Sequence, residues 1–140
     1  MIRVVLDTSV LVSAVISPTG PNARVFDHII ARTLRPCLSQ AILEEYRKVF
    51  DYDRLRHLDR RRIARLRGIL EAGSLWVKSR GRLEISGHEE DNRIYECAAA
   101  AKAHYIVTEN TKHFKKPYKL TRIVTARQLL ELLAGIGGKE

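Results

Sequence analysis

Three acidic residues, far apart along the chain, have the chemical type and the local setting expected of metal ligands. Asp7 ends a short apolar run, Glu45 lies at the margin of an apolar helix stripe, and Asp91 opens another such stripe. A carboxylate beside a core is unfavourable unless it is paired or bound, and neighbouring carboxylates repel unless a cation offsets their charge. Mg²⁺ and Mn²⁺ prefer oxygen ligands and assist reactions at phosphate. If the three acids meet, we expect a divalent-metal site for phosphate chemistry.

The hydrophobic pattern predicts strands that alternate with helices. Strands are expected at 2–7, 34–38, 75–77, 105–107 and 123–124. Helices are expected at 10–16, 22–33, 40–51, 59–72, from 89 or 90 to 102, and at 126–134. This alternation is typical of an α/β sandwich with a mostly parallel sheet, here folded as one domain over 1–140. The expected helix N-caps are Thr8 or Ser9, Ser39 and Thr125.

The predicted sheet brings acids and hydroxyls to one edge. Ligands of open parallel sheets bind beyond the carboxyl ends of the strands, where Asp7 follows the first strand and Thr108 and Asn110 follow the fourth. Because helix neighbours are three and four residues apart, Glu45 faces the apolar side of its helix and Glu44 the solvent. The outward face of the helix that Asp91 opens is expected to carry Glu89, Asn92, Arg93 and Glu96.

Each acid also has a simpler explanation. Asp7 could cap the helix that follows it, Asp91 could be a first-turn acid favoured by the helix dipole, and Glu45 could pair with Lys48. The convergence of three separate elements on one sheet edge favours the metal site over three unrelated explanations.

The charge balance favours a polyanionic partner. The 140 residues include 25 Lys and Arg against 16 Asp and Glu, a net charge of +9. RNA and DNA are the first candidates, and a basic protein that is merely soluble is the alternative.

The cysteines and the apolar runs exclude other classes of protein. Cys37 and Cys97 have no Cys or His at metal-ligand spacing, so we expect buried free thiols rather than a zinc site or a disulfide. The chain begins with a strand and has no long apolar run. We therefore expect a soluble, cytoplasmic protein with no membrane contact.

Four segments resemble the motifs of PIN-domain ribonucleases. Leu-Asp-Thr-Ser-Val-Leu at 6–11 resembles the opening motif, and 39–50 resembles the segment with the second acid. The stretches 91–98 and 103–110 resemble the third motif and the Thr-x-Asp fourth motif. The resemblance extends over nearly the whole chain, in order, and the nearest subgroup is the PIN-family toxins of toxin–antitoxin systems.

The resemblance implies a three-layer α/β/α fold and Mg²⁺- or Mn²⁺-dependent cleavage of single-stranded RNA. It implies that Asp7, Glu45 and Asp91 hold the metal and that the hydroxyl of Thr8 or Ser9 supports the site. Thr108, in the fourth motif, is a further candidate for such support. It also implies a small antitoxin as partner and a homodimer. The region 20–60 is a candidate partner groove, with Phe50 and Tyr52 as exposed aromatic residues.

The fourth motif departs from the family pattern. Many relatives carry an acid where this chain has Asn110, which would serve as a fourth catalytic residue with a neutral oxygen that binds cations more weakly. A second metal is therefore in doubt more than the first. Glu109 is adjacent, but in an extended backbone its side chain would point elsewhere.

Basic residues are expected to bind the RNA phosphates. The loop after the fourth motif offers His113 and Phe114 for contact with a base or phosphate. In the alternative, Phe114 packs the loop onto the domain and His113 is solvated. The basic candidates are Arg60, Arg61, Arg62, Arg65 and Arg67 on one helix and Lys112, Lys115, Lys116 and Lys119 in the loop.

Three rival functions remain open from the sequence. The first is a degenerate PIN-like domain that binds RNA without cutting it, for which Asn110 is the support. The second is a phosphoacceptor domain, which is disfavoured because the third strand leads to Lys78 rather than to Asp. The third is a DNA-binding regulator, which only the net positive charge supports.

Overall fold

A computed structural model of the chain describes residues 1–78, 89–114 and 117–137. In these ranges the strands are β1 (Ile2–Leu6), β2 (Leu34–Leu38), β3 (Leu75–Trp76), β4 (Tyr105–Val107) and β5 (Arg122–Val124). The helices are α1 (Thr8–Ile16), α2 (Pro21–Ile30), α3 (Gln40–Phe50), α4 (Arg60–Gly73), α5 (Glu89–Ala101) and α6 (Ala126–Gly137). Every strand and helix that the hydrophobic pattern predicts is present, with small shifts at the boundaries. A 3-10 helix at Asp53–Leu55 was not predicted.

The five strands form one parallel sheet in the order β3-β2-β1-β4-β5. The chain moves outward from β1 to β2 and β3, and then returns to the other side of β1 for β4 and β5. The strand order therefore reverses between β1 and β4, which is where open α/β sheets bind their ligands. Val4 and Val5 of β1 are fully buried, as expected for a central strand covered on both faces.

Helices cover both faces of this sheet, so the expected three-layer α/β/α fold is confirmed. Helix α5 packs on β1, β2 and β4, while α2 contacts β2 together with α1, α4 and α6. Helix α3 contacts both α1 and α5, and so connects the helices beside the carboxyl edge of the sheet. No helix in the described ranges has the length and apolar character needed to cross a bilayer.

Helix α1 begins two residues earlier than its predicted boundary. The backbone at Asp7 is extended, with φ −67° and ψ 152°, and its carbonyl accepts the first helical hydrogen bond from the Val10 N–H at 3.0 Å. Asp7 therefore occupies the N-cap position, and the prediction of Thr8 or Ser9 as the cap is wrong. The Asp7 side chain makes no capping hydrogen bond, so its carboxylate has another role than the simple cap.

The other two predicted caps are confirmed. The Ser39 hydroxyl accepts the Ile42 N–H at 3.4 Å. The Thr125 hydroxyl accepts the Gln128 N–H at 3.1 Å, and the Gln128 side chain accepts the Thr125 N–H at 2.9 Å. This reciprocal pair is a capping box.

Both cysteines are buried and free, as predicted. Burial raises the pKa of the Cys37 thiol to about 11 and that of Cys97 further. Both are therefore protonated core residues at neutral pH.

Candidate active site

Asp7 lies at the point where the strand order reverses, and two hydroxyls fix its carboxylate. Its Oδ2 accepts hydrogen bonds from Ser9 Oγ at 2.7 Å and from Thr108 Oγ1 at 2.8 Å. Its backbone N–H donates to the Val107 carbonyl at 2.9 Å. These contacts come from both sides of the β1–β4 junction, so they hold the acid in one place relative to both strands.

The same two hydroxyls also accept hydrogen bonds from the chain that follows β4. Ser9 Oγ accepts the Glu109 N–H at 3.1 Å, and Thr108 Oγ1 accepts the Asn110 N–H at 2.9 Å. Each hydroxyl therefore accepts a hydrogen bond from a backbone N–H and donates one to Asp7, and the two bonds together set the orientation of the hydroxyl. The predicted support by Ser9 and Thr108 thus has a direct geometric basis, whereas Thr8 lines the same cleft without a hydrogen bond to Asp7 among the described contacts.

Glu45 lies on α3, half-buried and facing the cleft, whereas Glu44 is exposed. The next residue, Tyr46, is buried and its hydroxyl donates to the Leu6 carbonyl at 2.5 Å. Burial raises the pKa of Tyr46, so it remains a hydrogen-bond donor. Because Leu6 precedes Asp7, this bond positions α3, and with it Glu45, against the end of β1. The alternative of a Glu45–Lys48 ion pair is not realised in the described residues.

Asp91 stands in the first turn of α5 and is 7% exposed. Its Oδ2 lies 3.7 Å from Nδ1 of His113, a residue of the turn after β4. His113 therefore lines the cleft, and its side chain is still 46% exposed, so it is solvated as the alternative expects and also lies close to Asp91. Phe114 is buried, with its ring centroid 5.5 Å from that of Tyr95, so the expected packing of this loop is confirmed.

The predicted outward face of α5 is wrong. Asn92 and Glu96 are 3% and 5% exposed, and Arg93 forms an ion pair with Glu96. The first half of this helix is enclosed around most of its circumference, so polar residues on it do not mark a solvent face. The 3.6-residue period identifies an outward side only for a helix that has one.

These residues line a single cleft of about 640 Å³ at the carboxyl edge of the sheet. Its polar lining comprises Asp7, Thr8, Ser9, Ser13, Glu45, Lys48, Arg54, Asp91, Arg93, Glu109, Asn110 and His113. The three predicted acids and Asn110 are therefore brought together. Sequence reasoning missed Lys48 and Arg54 as cleft residues. Lys48 carried a signal, because it follows Glu45 by three residues on one helix, but Arg54 lies in a stretch without periodicity.

Glu109 also lines the cleft, against the prediction that its side chain points elsewhere. The chain bends at Glu109 instead of continuing as a strand. The alternation of side chains across a strand therefore stops at Thr108, and both following residues reach the cleft. Asn110 is exposed and lines the cleft with a neutral amide.

Five of the predicted basic residues fall into two groups. Arg61 and Arg65 on α4 and Lys112 after β4 are exposed, but none of them lines the cleft. Arg62 instead donates to the Ala14 carbonyl at 2.9 Å, and Arg60 donates to two backbone carbonyls described below. Lys115 and Lys116 lie outside the described residues.

Phe50 and Tyr52 were predicted to be exposed aromatic residues of a partner groove, and this prediction is wrong for Phe50. Phe50 is 2% exposed and belongs to the core. It is the last residue of α3, and the carbonyl beside its buried ring is held by Arg60 at 2.7 Å. Tyr52 is half-buried at the surface.

The chemistry of the donor set fits Mg²⁺ or Mn²⁺. Asp7, Glu45 and Asp91 supply carboxylate oxygens and Asn110 an amide oxygen, the ligands that these hard cations prefer. Across 1–78, 89–114 and 117–137, no three His, Cys, Asp or Glu side chains are already clustered as a metal site.

Comparison with known proteins assigns the family. No curated protein matches the chain. The PIN domain family matches residues 3–112, a range that includes Asp7, Glu45, Asp91 and Asn110. The chain therefore belongs to the PIN-domain family, whose members are typically nucleases that use divalent metal ions.

Proposed function

We propose that the protein is a Mg²⁺- or Mn²⁺-dependent endoribonuclease that cleaves single-stranded RNA. The observation that supports this proposal is that Asp7, Glu45 and Asp91, which come from three elements, line one cleft at the place where the strand order reverses. The hydroxyl-fixed carboxylate of Asp7 supports it further, because a ligand held in place before the metal arrives needs little reorganisation.

Each cleft residue has a defined part in this proposal. Asp7 is the central ligand because it is fixed to both β1 and the chain after β4, and Glu45 and Asp91 complete the ligand set. A bound ion would lower the pKa of a water and offset charge on the phosphoryl oxygens. Asn110, a neutral and exposed residue of the cleft lining, would contact the substrate phosphate rather than hold a second strongly bound ion. The products would carry 5′-phosphate and 3′-hydroxyl ends.

The biological setting follows as a second part of the proposal. The protein would be the toxin of a toxin–antitoxin pair, acting in the cytoplasm as a homodimer and neutralised by a small antitoxin protein. The net charge of +9 supports both an RNA substrate and an acidic binding partner. Induced expression should arrest growth with the wild type and not with Asp7→Asn, and arrest by both proteins would contradict this setting.

The cleavage test uses labelled single-stranded RNA with Mg²⁺ or Mn²⁺, and with EDTA as a blank. Wild-type cleavage should require the ion, and Asp7→Asn and Asp91→Asn should each reduce the rate at least about a hundredfold. Equal cleavage by all three proteins would rule out the assignment. RNA binding by the wild type without cleavage of a diverse RNA pool would instead favour the degenerate, RNA-binding PIN domain.

A further inference from the structure

Two basic side chains that line the cleft, Lys48 and Arg54, have no role in the proposed metal site. Lys48 lies near the end of α3, and Arg54 lies in the 3-10 helix that follows it. Both line the same cleft as the three acids. Within the described part of the chain neither pairs with an acid, whereas Arg93, the third arginine or lysine of the lining, pairs with buried Glu96.

Arg54 is held in position by its surroundings. Its guanidinium carbon lies 5.4 Å from the centroid of the Tyr52 ring, a cation–π contact. The backbone on either side is anchored, because Arg60 donates to the Phe50 carbonyl at 2.7 Å and to the Leu55 carbonyl at 3.1 Å. Leu55 itself is buried. This segment is therefore a braced turn that presents Arg54 to the cleft, and Arg60 is a positioning residue for it.

The charge distribution indicates what these two side chains would bind. The acids line the cleft beside Glu109, so an approaching nucleic-acid strand meets negative charge. A polyanion gains affinity there only where cations contact its phosphates. We propose that Lys48 and Arg54 form a phosphate subsite that holds a phosphodiester of the single strand next to the scissile one. This inference rests on the proposed nuclease function and specifies its substrate as a strand that extends along the α3 side of the cleft.

The chain offers a matched control for Arg54. Arg56 is two residues away and its side chain is 69% exposed, but it contacts Asp53 at 3.6 Å and does not line the cleft. Both arginines carry the same charge at nearly the same place in the sequence. If Arg54 contacts RNA in the cleft, Arg54→Ala weakens RNA binding more than Arg56→Ala does. If only net charge matters, the two substitutions weaken binding equally.

The test measures binding of a short labelled single-stranded RNA in EDTA, where cleavage is blocked, over a series of salt concentrations. Arg54→Ala and Lys48→Ala should each weaken binding about fivefold or more, and each should reduce the slope of log affinity against log salt by about 0.7. Arg56→Ala should leave both quantities nearly unchanged. Arg54→Lys, which keeps the charge, should retain most of the affinity. Because the contact is to phosphate, a DNA strand of the same sequence should show the same losses.

Three results would overturn the subsite: no binding by the wild type, equal effects of Arg54→Ala and Arg56→Ala, or a loss confined to RNA. In turnover, Arg54→Ala should raise KM with little change in kcat, as expected for removal of uniform binding. The two proposals fail separately. If the wild type cleaves no RNA but Arg54→Ala alone weakens binding, the nuclease proposal is rejected and the subsite is kept. If the wild type cleaves RNA normally but Arg54→Ala weakens binding no more than Arg56→Ala, the subsite is rejected and the nuclease proposal is kept.

Discussion

At the scale of a single residue, Thr108 contributes both to the core of the fold and to the candidate site. It is fully buried, donates to Asp7 and accepts the Asn110 N–H. A side chain of the same shape without the hydroxyl would leave both groups without this partner. The position therefore belongs to the site and to the core at once.

We predict that Thr108→Val destabilises the fold by about 1–3 kcal/mol, since the part-buried Asn110 N–H and the Asp7 carboxylate each lose a hydrogen-bond partner. Cleavage should fall about tenfold to a hundredfold because Asp7 is less well fixed. Urea unfolding and single-turnover cleavage measure the two effects. The control is Thr111→Val, an exposed threonine in the same loop, which should change neither. Unchanged cleavage by Thr108→Val would mean that the hydroxyl does not position Asp7.

The residue scale also shows what a sequence can reveal about a site. Asp7, Glu45 and Asp91 are predictable because each interrupts an apolar pattern at a defined place. Glu109 and Arg54 are not, because their positions depend on a bend after β4 and on a turn braced by Arg60. Side chains in irregular backbone are directed by tertiary contacts, and local spacing carries no signal for them.

At the scale of elements, the end of α2 is strained. Arg32 has φ 64°, in the left-handed region, and the Thr33 N–H donates to the His28 carbonyl at 3.0 Å. This is the hydrogen bond of a Schellman cap, a position that usually carries glycine. A residue with a Cβ is unfavourable there.

We predict that Arg32→Gly stabilises the protein by about 0.5–1 kcal/mol, because relief of the left-handed strain exceeds the added freedom of the unfolded chain. Thermal or urea unfolding measures the change. Arg32→Ala removes the same side chain but keeps the Cβ, so it should give no such gain. A similar gain for both variants would show that the arginine side chain, and not the backbone strain, is the cause.

The sequence predicts the positions of the strands and helices well, but it does not predict which sides of α5 are buried. The strands and α1 to α6 follow from period, caps and breakers, as Ser39 and Thr125 illustrate. The inward and outward sides of α5 do not follow, because the buried Asn92 and Glu96 reflect enclosure by other parts of the chain. Periodicity describes a helix by itself, while enclosure is a property of the assembled fold.

At the scale of the whole molecule, the order of the strands creates the site. Alternating strands and helices predict a parallel sheet, but several orders are compatible with that pattern. The observed order places β1 next to β4, and this pairing puts Asp7 beside Thr108. The fold thus gathers four acids, Asp7, Glu45, Asp91 and Glu109, into one cleft. A cation that binds there should stabilise the folded state over the unfolded one.

We predict that Mg²⁺ at about a hundred times its Kd stabilises the wild type by about 2.7 kcal/mol. For a chain of this size, this corresponds to a rise in Tm of roughly 8 °C. Asp7→Asn should show little of this rise. Thermal unfolding with Mg²⁺ and with EDTA makes the comparison, and equal shifts in both proteins would place the ion elsewhere.

The most direct test of the account compares two adjacent glutamates on α3. Glu45 faces the cleft and Glu44 faces solvent, so substitution by Gln changes the same charge at neighbouring positions. In single-turnover cleavage of single-stranded RNA with Mg²⁺, Glu44→Gln should stay within about twofold of the wild type. Glu45→Gln should be slower by at least about a hundredfold. Equal rates for the two variants would contradict the claim that the carboxylates of this cleft form a metal-dependent nuclease site.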